Sequence, residues 1–392
     1  MHEPDLFVTT AADDLAPPVR AVNDLTARWC SQFRDEDCVV SGAGVWPLLA
    51  LLASAADEAA RNELAAALGR PADSARAEGL EVLNALREGM STSAAVGVWT
   101  HDAAPLIEDW ASRLPAGVTG RLTGQEALDK WAADGTGGLI DRFPLEIDDE
   151  VRLVIASVIA AKTRWLEPFR GSSRGCDPLS DDAQPTWLER YTDDTSVAAV
   201  LDNSVTRVVV EGDGDLDVHL LLGDQTPGHV LDTGLRELSG DSHVQPAVDF
   251  DAHAPGLTVE VVASHGPEDR LSLELPAFSI NSNHDLLSHK DVFGLHAVTD
   301  PENPHLPHLS SVPLFVAQGA QNVIARFSPV GFEAAAVTAF ALAPTGAYPR
   351  DTHQIKFVSV TFDRPFGFLA VHRPTRLAVV AGWVSSPFDQ SE

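Results

Sequence analysis

The run Gly331-Phe332-Glu333-Ala334-Ala335-Ala336-Val337-Thr338-Ala339-Phe340-Ala341-Leu342 leads into Ala343-Pro344-Thr345-Gly346-Ala347-Tyr348-Pro349-Arg350-Asp351. Side chains alternate across a strand. Read as extended chain, positions 332, 334, 336, 338, 340 and 342 give one apolar face, mostly small. The opposite face is Glu333, Ala335, Val337, Ala339 and Ala341. Alanine-rich runs also favour helix by intrinsic propensity, so this segment alone supports strand and helix equally. Residues 343–351, with Pro344, Gly346 and Pro349, read as an exposed loop. A strand-capable run tied to such a loop suggests conditional insertion.

Upstream, the first third reads helical. Val22, Leu25, Trp29 and Phe33 fall at spacings of three and four, one face of an amphipathic helix. Trp46 to Ala55 predicts a helix buried nearly all round. Another starts near Asp57 and stops before Gly69, a C-cap position. A fourth runs from Gln125 through Trp131 to the break at Gly135-Thr136-Gly137-Gly138. Beyond residue 150 the period changes. Val154 to Ala161 reads as a strand buried on both faces, and 208–210 with 216–222 flank a hairpin turn at 211–215. Further strands are expected at 257–263, 271–275, 322–327, 355–361, 366–371 and 378–385. Helices first and strands later predict an α+β fold, and no linker or repeat divides the chain, so residues 1–392 are read as one domain.

Composition bounds the partners. The 392 residues carry 57 acidic and 27 basic side chains, a formal charge of −30. Such a chain is a poor ligand for nucleic acid, and an anionic membrane repels it. With 44% hydrophobic residues it can still bury a core. Cys30, Cys38 and Cys176 form no CxxC pair, which suits free thiols in a reducing compartment. The start Met1-His2-Glu3-Pro4-Asp5 lacks the pattern of a secretory signal, so a cytoplasmic location is expected, with export by a route the sequence does not show as the alternative. Val45 to Ala56 is too short to span a bilayer.

Two catalytic patterns fail on their context. Gly171-Ser172-Ser173-Arg174-Gly175 matches G-x-S-x-G, but its flanks fit neither the strand nor the helix that motif requires. His284 with His289, and His305 with His308, form no HExxH; the proline-rich setting of the second pair predicts solvated imidazoles. No metal or other cofactor is expected.

The chain resembles the serpins, in a bacterial-type form, over roughly residues 15 to 388. Asp37-Cys38-Val39-Val40-Ser41 looks like the entry to that family's second helix. Trp131, Thr136, Gly138 and Ile140 match the helix across its main sheet. Ser157, Lys162, Trp165, Pro168 and Phe169 match its strand signature. Leu275-Pro276-Ala277-Phe278-Ser279-Ile280, Asp285-Leu286-Leu287 and Phe293-Gly294-Leu295 are similar to the stretch before its reactive loop. Gly331, Glu333, Ala334, Ala335, Ala336 and Thr338 match its hinge, with Phe332 among them. Asp363-Arg364-Pro365-Phe366, Phe368-Leu369, Gly382 and Pro387 match its C-terminal strands. The resemblance implies three β-sheets, eight or nine helices and an exposed reactive centre loop at about 331–356. It also implies a serine-type endopeptidase inhibitor rather than an enzyme, a monomer that traps its target by inserting the cut loop into the main sheet. Loop insertion in this family is a known case of strand addition, in which main-chain hydrogen bonds supply the gain. Ser41, Ser157, Lys162, Trp165 and Gln321 then lie in the shutter and breach, where that sheet opens. The acidic charge argues against a polyanion cofactor.

Four residues depart from the family pattern. Pro329 stands where inhibitory members have Glu, and Phe332 where they have a small residue. Phe332 would enter the sheet first, and overpacking costs about 1–3 kcal/mol. A barrier higher by about 1.4 kcal/mol slows insertion tenfold, enough to turn an inhibitor into a substrate. The alternative is therefore a non-inhibitory binding or chaperone-like module. Gly44 and Gln321 stand where the family often has Ser and His. Counting from Gly331 places the scissile bond at Thr345-Gly346; counting back from Asp363-Arg364-Pro365-Phe366 points nearer Gln354, which makes Arg350-Asp351 a candidate and a trypsin-like protease the target.

Overall fold

The computed structural model describes residues 15–138, 140–147, 151–172, 187–332 and 353–386. Its longer helices are α1 (Pro17–Cys30), α2 (Gly42–Ala55), α3 (Glu58–Leu68), α4 (Ala72–Glu88), α5 (Gln125–Thr136) and α6 (Pro227–Leu238). Two single-turn helices, Glu108–Ala111 and Lys290–Phe293, bring the number among the described residues to eight. Local chemistry sets their ends. Pro17 and Pro18 open α1, where the missing N–H costs nothing. Asp57 caps α3 through the Ala60 amide, and Gly69 closes it at a φ of 64°. Gly137 closes α5 in the same left-handed conformation. None of the described helices is long and apolar enough to cross a membrane.

Three strands of the seven-stranded sheet, Leu216–Gly223, Phe366–His372 and Leu377–Val384, are buried at every position. Their near-continuous apolar runs fit strands covered on both faces. The sheet also holds Val205–Val210, joined to Leu216–Gly223 as the expected hairpin. α6 packs on it from one side, and α2 lies between its last strand and the sheet that concerns function.

Among the described residues twelve further strands form the other sheets, ten of them β1 (Thr92–Thr100), β2 (Thr119–Arg121), β3 (Leu153–Ala161), β4 (Thr163–Arg164), β5 (Leu257–Ser264), β6 (Arg270–Pro276), β7 (Phe278–Asp285), β8 (Ala320–Ser328), β9 (Gly331–Phe332) and β10 (His353–Thr361). A five-stranded sheet runs β5-β10-β6 and on through Trp187–Thr192 to Arg170–Gly171. The remaining sheet is parted. One half is β2-β1-β3 and the other is β7-β8-β9-β4, so four hydrogen-bonded sheets stand where three were expected. The halves belong to one layer because β3 runs into β4 with only Lys162 between them.

The parting corrects a second expectation. β3 is not buried on both faces; burial alternates along it. Val154, Ala156 and Val158 pack under Leu128 and Ala132 of α5, while Ile155, Ser157 and Ile159 are only half-buried. Among the described residues, β3 pairs within its length with β1 alone. Its far side faces the gap.

Candidate functional site

The gap between β3 and β8 is closed at one end by the chain itself. After β8, Pro329 and Val330 form a two-residue turn, and β9 runs back with Phe332 opposite Phe327 and Gly331 opposite Ser328. Proline presets the backbone angle that the first corner of such a turn needs. The Ser328 hydroxyl donates to the Gly331 carbonyl at 3.0 Å. On its other edge β9 pairs with β4, Gly331 opposite Arg164 and Phe332 opposite Thr163. The hinge thus lies between the two halves of the layer. Gly331 is needed there, because a Cβ would stand 2.3 Å from the Thr163 carbonyl oxygen.

Phe332 does not meet the obstruction expected of it. Its side chain is 1% exposed, in the main core, with its ring 6.1 Å from that of Phe368. Trp165 seals the same end: its indole N–H donates to Ser328 O at 2.8 Å, and its amide to Val330 O at 3.0 Å. The Phe169 amide donates to Pro329 O at 2.7 Å, so the carbonyls of the turn are used by the segment after β4. Trp165, Phe169 and Phe327 form a ring cluster with centroids 4.6–6.3 Å apart. Arg190 lies over Phe169 at 4.7 Å; burial lowers its pKa, against the opposing pull of Glu167 and Glu211.

Further along the gap, both strands are tied to the start of α2. Gln321 of β8 accepts from the Ser41 amide and donates to the Ser41 carbonyl, both at 2.9 Å. Ser157 of β3 donates to Gly44 O at 2.5 Å. The Ser41 hydroxyl accepts from the Gly44 amide and donates to Val379 O. Gly44 and Gln321 form a matched pair, since a Cβ at 44 would sit 2.9 Å from Gln321 Nε2. Each was visible in the sequence as a separate departure; their contact was not. Lys162 is exposed, and its amide donates to Ser91 O at 2.7 Å.

Beyond this clasp the gap widens to a cavity of about 510 Å³, lined chiefly by Leu48, Leu49 and Leu52 of α2, Leu145, Ile147, Ile155 and Phe315. This apolar cavity is bounded by the start of β3 and by residues 312–319, which lead into β8, and it has room for one more strand. Of the predicted site residues, the structure gathers Gly331, Phe332, Trp165, Lys162, Ser41, Ser157 and Gln321 along this gap. Glu333 to Ala336, Thr338, Thr345, Gly346, Arg350 and Asp351 lie outside the described residues, as does Ser173 of the G-x-S-x-G match. His305 is not solvated as expected, because its Nδ1 pairs with Asp57 at 2.7 Å. The described residues hold no group of three potential metal ligands.

The model of the serpin family, described as serine protease inhibitor, matches residues 20–178 and 254–387. No curated protein matches the sequence. Among solved structures, thyroxine-binding globulin in complex with thyroxine aligns at 15% identity and a TM-score of 0.68, over 94% of this chain and 98% of that one. Tengpin, a thermophilic serpin in its native state, aligns at 14% and 0.68, over 94% and 93%. Cleaved Serpin 42Da aligns at 14% and 0.65, over 94% and 96%. At such identities the likeness is one of fold.

Proposed function

This chain belongs to the serpin family, and from that premise we propose that it inhibits serine-type endopeptidases by loop insertion. The target attacks the segment between Phe332 and His353, at Thr345-Gly346 or at Arg350-Asp351, and forms an acyl-enzyme. The freed strand then extends β9 down the gap between β3 and β8, carrying the protease with it. One observation carries this reading: β9 is already seated between β4 and β8, and beyond it along the gap the described residues leave a cavity beside β3. Insertion has begun at the hinge and needs only slack to continue. Chain cleavage supplies that slack.

The test is incubation with trypsin-like, elastase-like and subtilisin-like proteases, followed by a denaturing gel. A covalent complex that survives SDS supports inhibition. Clipped chain with no complex supports a second reading, a non-inhibitory binding or chaperone-like module whose loop is a substrate. The turn at Pro329, where inhibitory members have Glu, favours that alternative. A neighbour in fold is itself a thyroxine-binding protein.

A further inference from the structure

The turn at 211–215, which joins Val205–Val210 to Leu216–Gly223, belongs to the seven-stranded sheet but grips the parted one. The Asp215 carboxylate accepts from two consecutive amides, Met90 at 2.7 Å through Oδ2 and Ser91 at 2.9 Å through Oδ1. Ser91 O in turn accepts the Lys162 amide at 2.7 Å. Thr92 stands opposite Ala161, so the start of β1 and the end of β3 form one corner, and Asp215 holds it. The same turn holds β4. The Asp213 amide donates to Arg164 O at 2.8 Å, and the Leu166 amide to Glu211 O at 3.0 Å.

The fit is close on both sides. A Cβ at Gly214 would stand 2.2 Å from Ser91 Oγ, and one at Gly212 would stand 2.2 Å from Thr163 Oγ1. Arg373 stiffens the turn: its guanidinium donates to both Asp217 carboxylate oxygens at 2.6 and 2.7 Å, and to Gly212 O and Gly214 O at 3.0 Å. Its amide donates to Asp215 O at 2.8 Å. Burial pushes the Asp215 pKa up, but the hydrogen bonds from Met90 and Ser91 outweigh it and leave the carboxyl below its ordinary value. The His372 imidazole lies 3.6 Å from the same carboxylate.

This corner matters because of where insertion starts. β9 rests on β4, and the residues that follow it must continue along β3. β3 and β4 offer one continuous edge only while Lys162, between them, is held in line. Strand hydrogen bonds hold over donor–acceptor distances of about 2.7–3.2 Å, so a displacement of about 1 Å at the corner would forfeit them. Asp215 acts on this edge through Ser91 and Lys162. We infer that Asp215 is a positioning residue for loop insertion, fixing the corner of β1 and β3 so that the inserting strand passes from β4 to β3 in register. The inference rests on the insertion reading above.

The test is Asp215→Ala in the full chain, with Asp215→Asn as a milder variant that keeps one acceptor oxygen. Thr206→Val is the control for stability, since it removes a buried 2.7 Å hydrogen bond to Pro255 O at the other end of the same hairpin. Each protein is clipped by a protease that does not remain bound, at the same interval below its own melting temperature. The rate at which the clipped chain gains resistance to heat is then followed. Asp215→Ala is expected to insert at least about tenfold more slowly than the control, and Asp215→Asn about threefold more slowly. Insertion of Asp215→Ala at the control's rate overturns the inference and leaves the residue a role in stability alone. If Asp215→Ala does not fold, Asp215→Asn decides, and equality with the control overturns the inference. If clipped wild type inserts and both variants match the control, only the positioning role fails; if clipped wild type gains no heat resistance, the insertion reading fails and takes this inference with it.

Discussion

The seven-stranded sheet and the parted sheet treat the same backbone chemistry in opposite ways. In the first, strands pair continuously, and three adjacent ones are buried on both faces. In the second, among the described residues, β3 and β8 each leave an edge facing the gap, and at its end the two residues of β9 join β8 to β4. Unpaired strand edges are normally covered or charged. Here they border a gap, and under the insertion proposed above the protein withholds hydrogen bonds that its own chain can supply. On that proposal one sheet provides stability and the other stores it.

Cleavage is the strongest way to break that contrast. A strand inserted between two edges makes on the order of ten new backbone bonds, each contributing roughly 1 kcal/mol net. Melting shifts by about 1–2 °C per kcal/mol, extrapolating the size trend to a chain this long. Clipping the loop with a protease that does not remain bound should therefore raise the melting temperature by about 10–20 °C. A clipped protein that melts with the intact one would mean that the slot stays empty.

The seven-stranded sheet has its own test in His219, buried beside Arg207 and Glu237. Burial lowers its pKa from 6.5 to about 3; the Arg207 charge adds to the shift, and Asp217 opposes it. Because the folded value is depressed, the unfolded chain takes the proton first as pH falls. The stability from keeping His219 neutral is full above about pH 6.5 and is lost progressively down to about pH 3. At pH 4.5 the loss is at most about 3 kcal/mol, several degrees of melting temperature. His219→Gln should flatten the fall in melting temperature between pH 7.5 and 4.5 and leave the cleavage-induced rise unchanged. An unaltered acid profile would remove His219 from the account.

What the sequence disclosed follows the same division. Where a strand is buried or alternates cleanly, its side chains announce it. The segments expected at 257–263, 271–275, 322–327, 355–361, 366–371 and 378–385 all lie within observed strands, the last to within a residue at its end. β1 escaped because Thr92–Thr100 is built on Ala94, Ala95 and Gly97, without the β-branched run that marks a strand, in a region of helical composition. β3 was recognised as a strand, but its apolar residues concealed the opening beside it: Ile155 and Ile159 are compatible with either a covered face or an empty slot. The hinge was legible as a pattern, whereas its seating was not, since the fit of Phe332 depends on Phe368 and that of Gly331 on Thr163. The clasp of Gln321 on Ser41 joins residues 280 positions apart, a separation at which spacing carries no signal.

At the stitched end, the sharpest single change is Gly331→Val. Its side chain would meet the Thr163 carbonyl, a backbone atom that cannot move aside without breaking the pairing with β4. A penalty of about 3 kcal/mol corresponds to roughly a hundredfold slower start of insertion. With a target protease, the variant should yield clipped chain almost exclusively where wild type yields complex. Equal proportions on the gel would show that the seating of β9 plays no part in trapping.

The smallest expected effect lies at the clasp, where both halves are tied to α2. Gln321→Ala removes two hydrogen bonds and leaves the amide of buried Ser41 without its partner, a loss of about 1–2 kcal/mol. The melting temperature should fall by a few degrees. Loop insertion after cleavage should become faster, because β8 is freer to move from β3. Gly44→Ser should destabilise by a similar amount for another reason: its Cβ would crowd Gln321 Nε2. If these residues are matched in size, Gly44→Ser with Gln321→His should lose less than the sum of its single changes, since each replacement relieves the other. Contacting residues commonly couple by about 0.5–3 kcal/mol. Strict additivity in melting temperature would show that the two positions act separately, and that Ser157 and Gln321 hold independent strands rather than the sides of one gate.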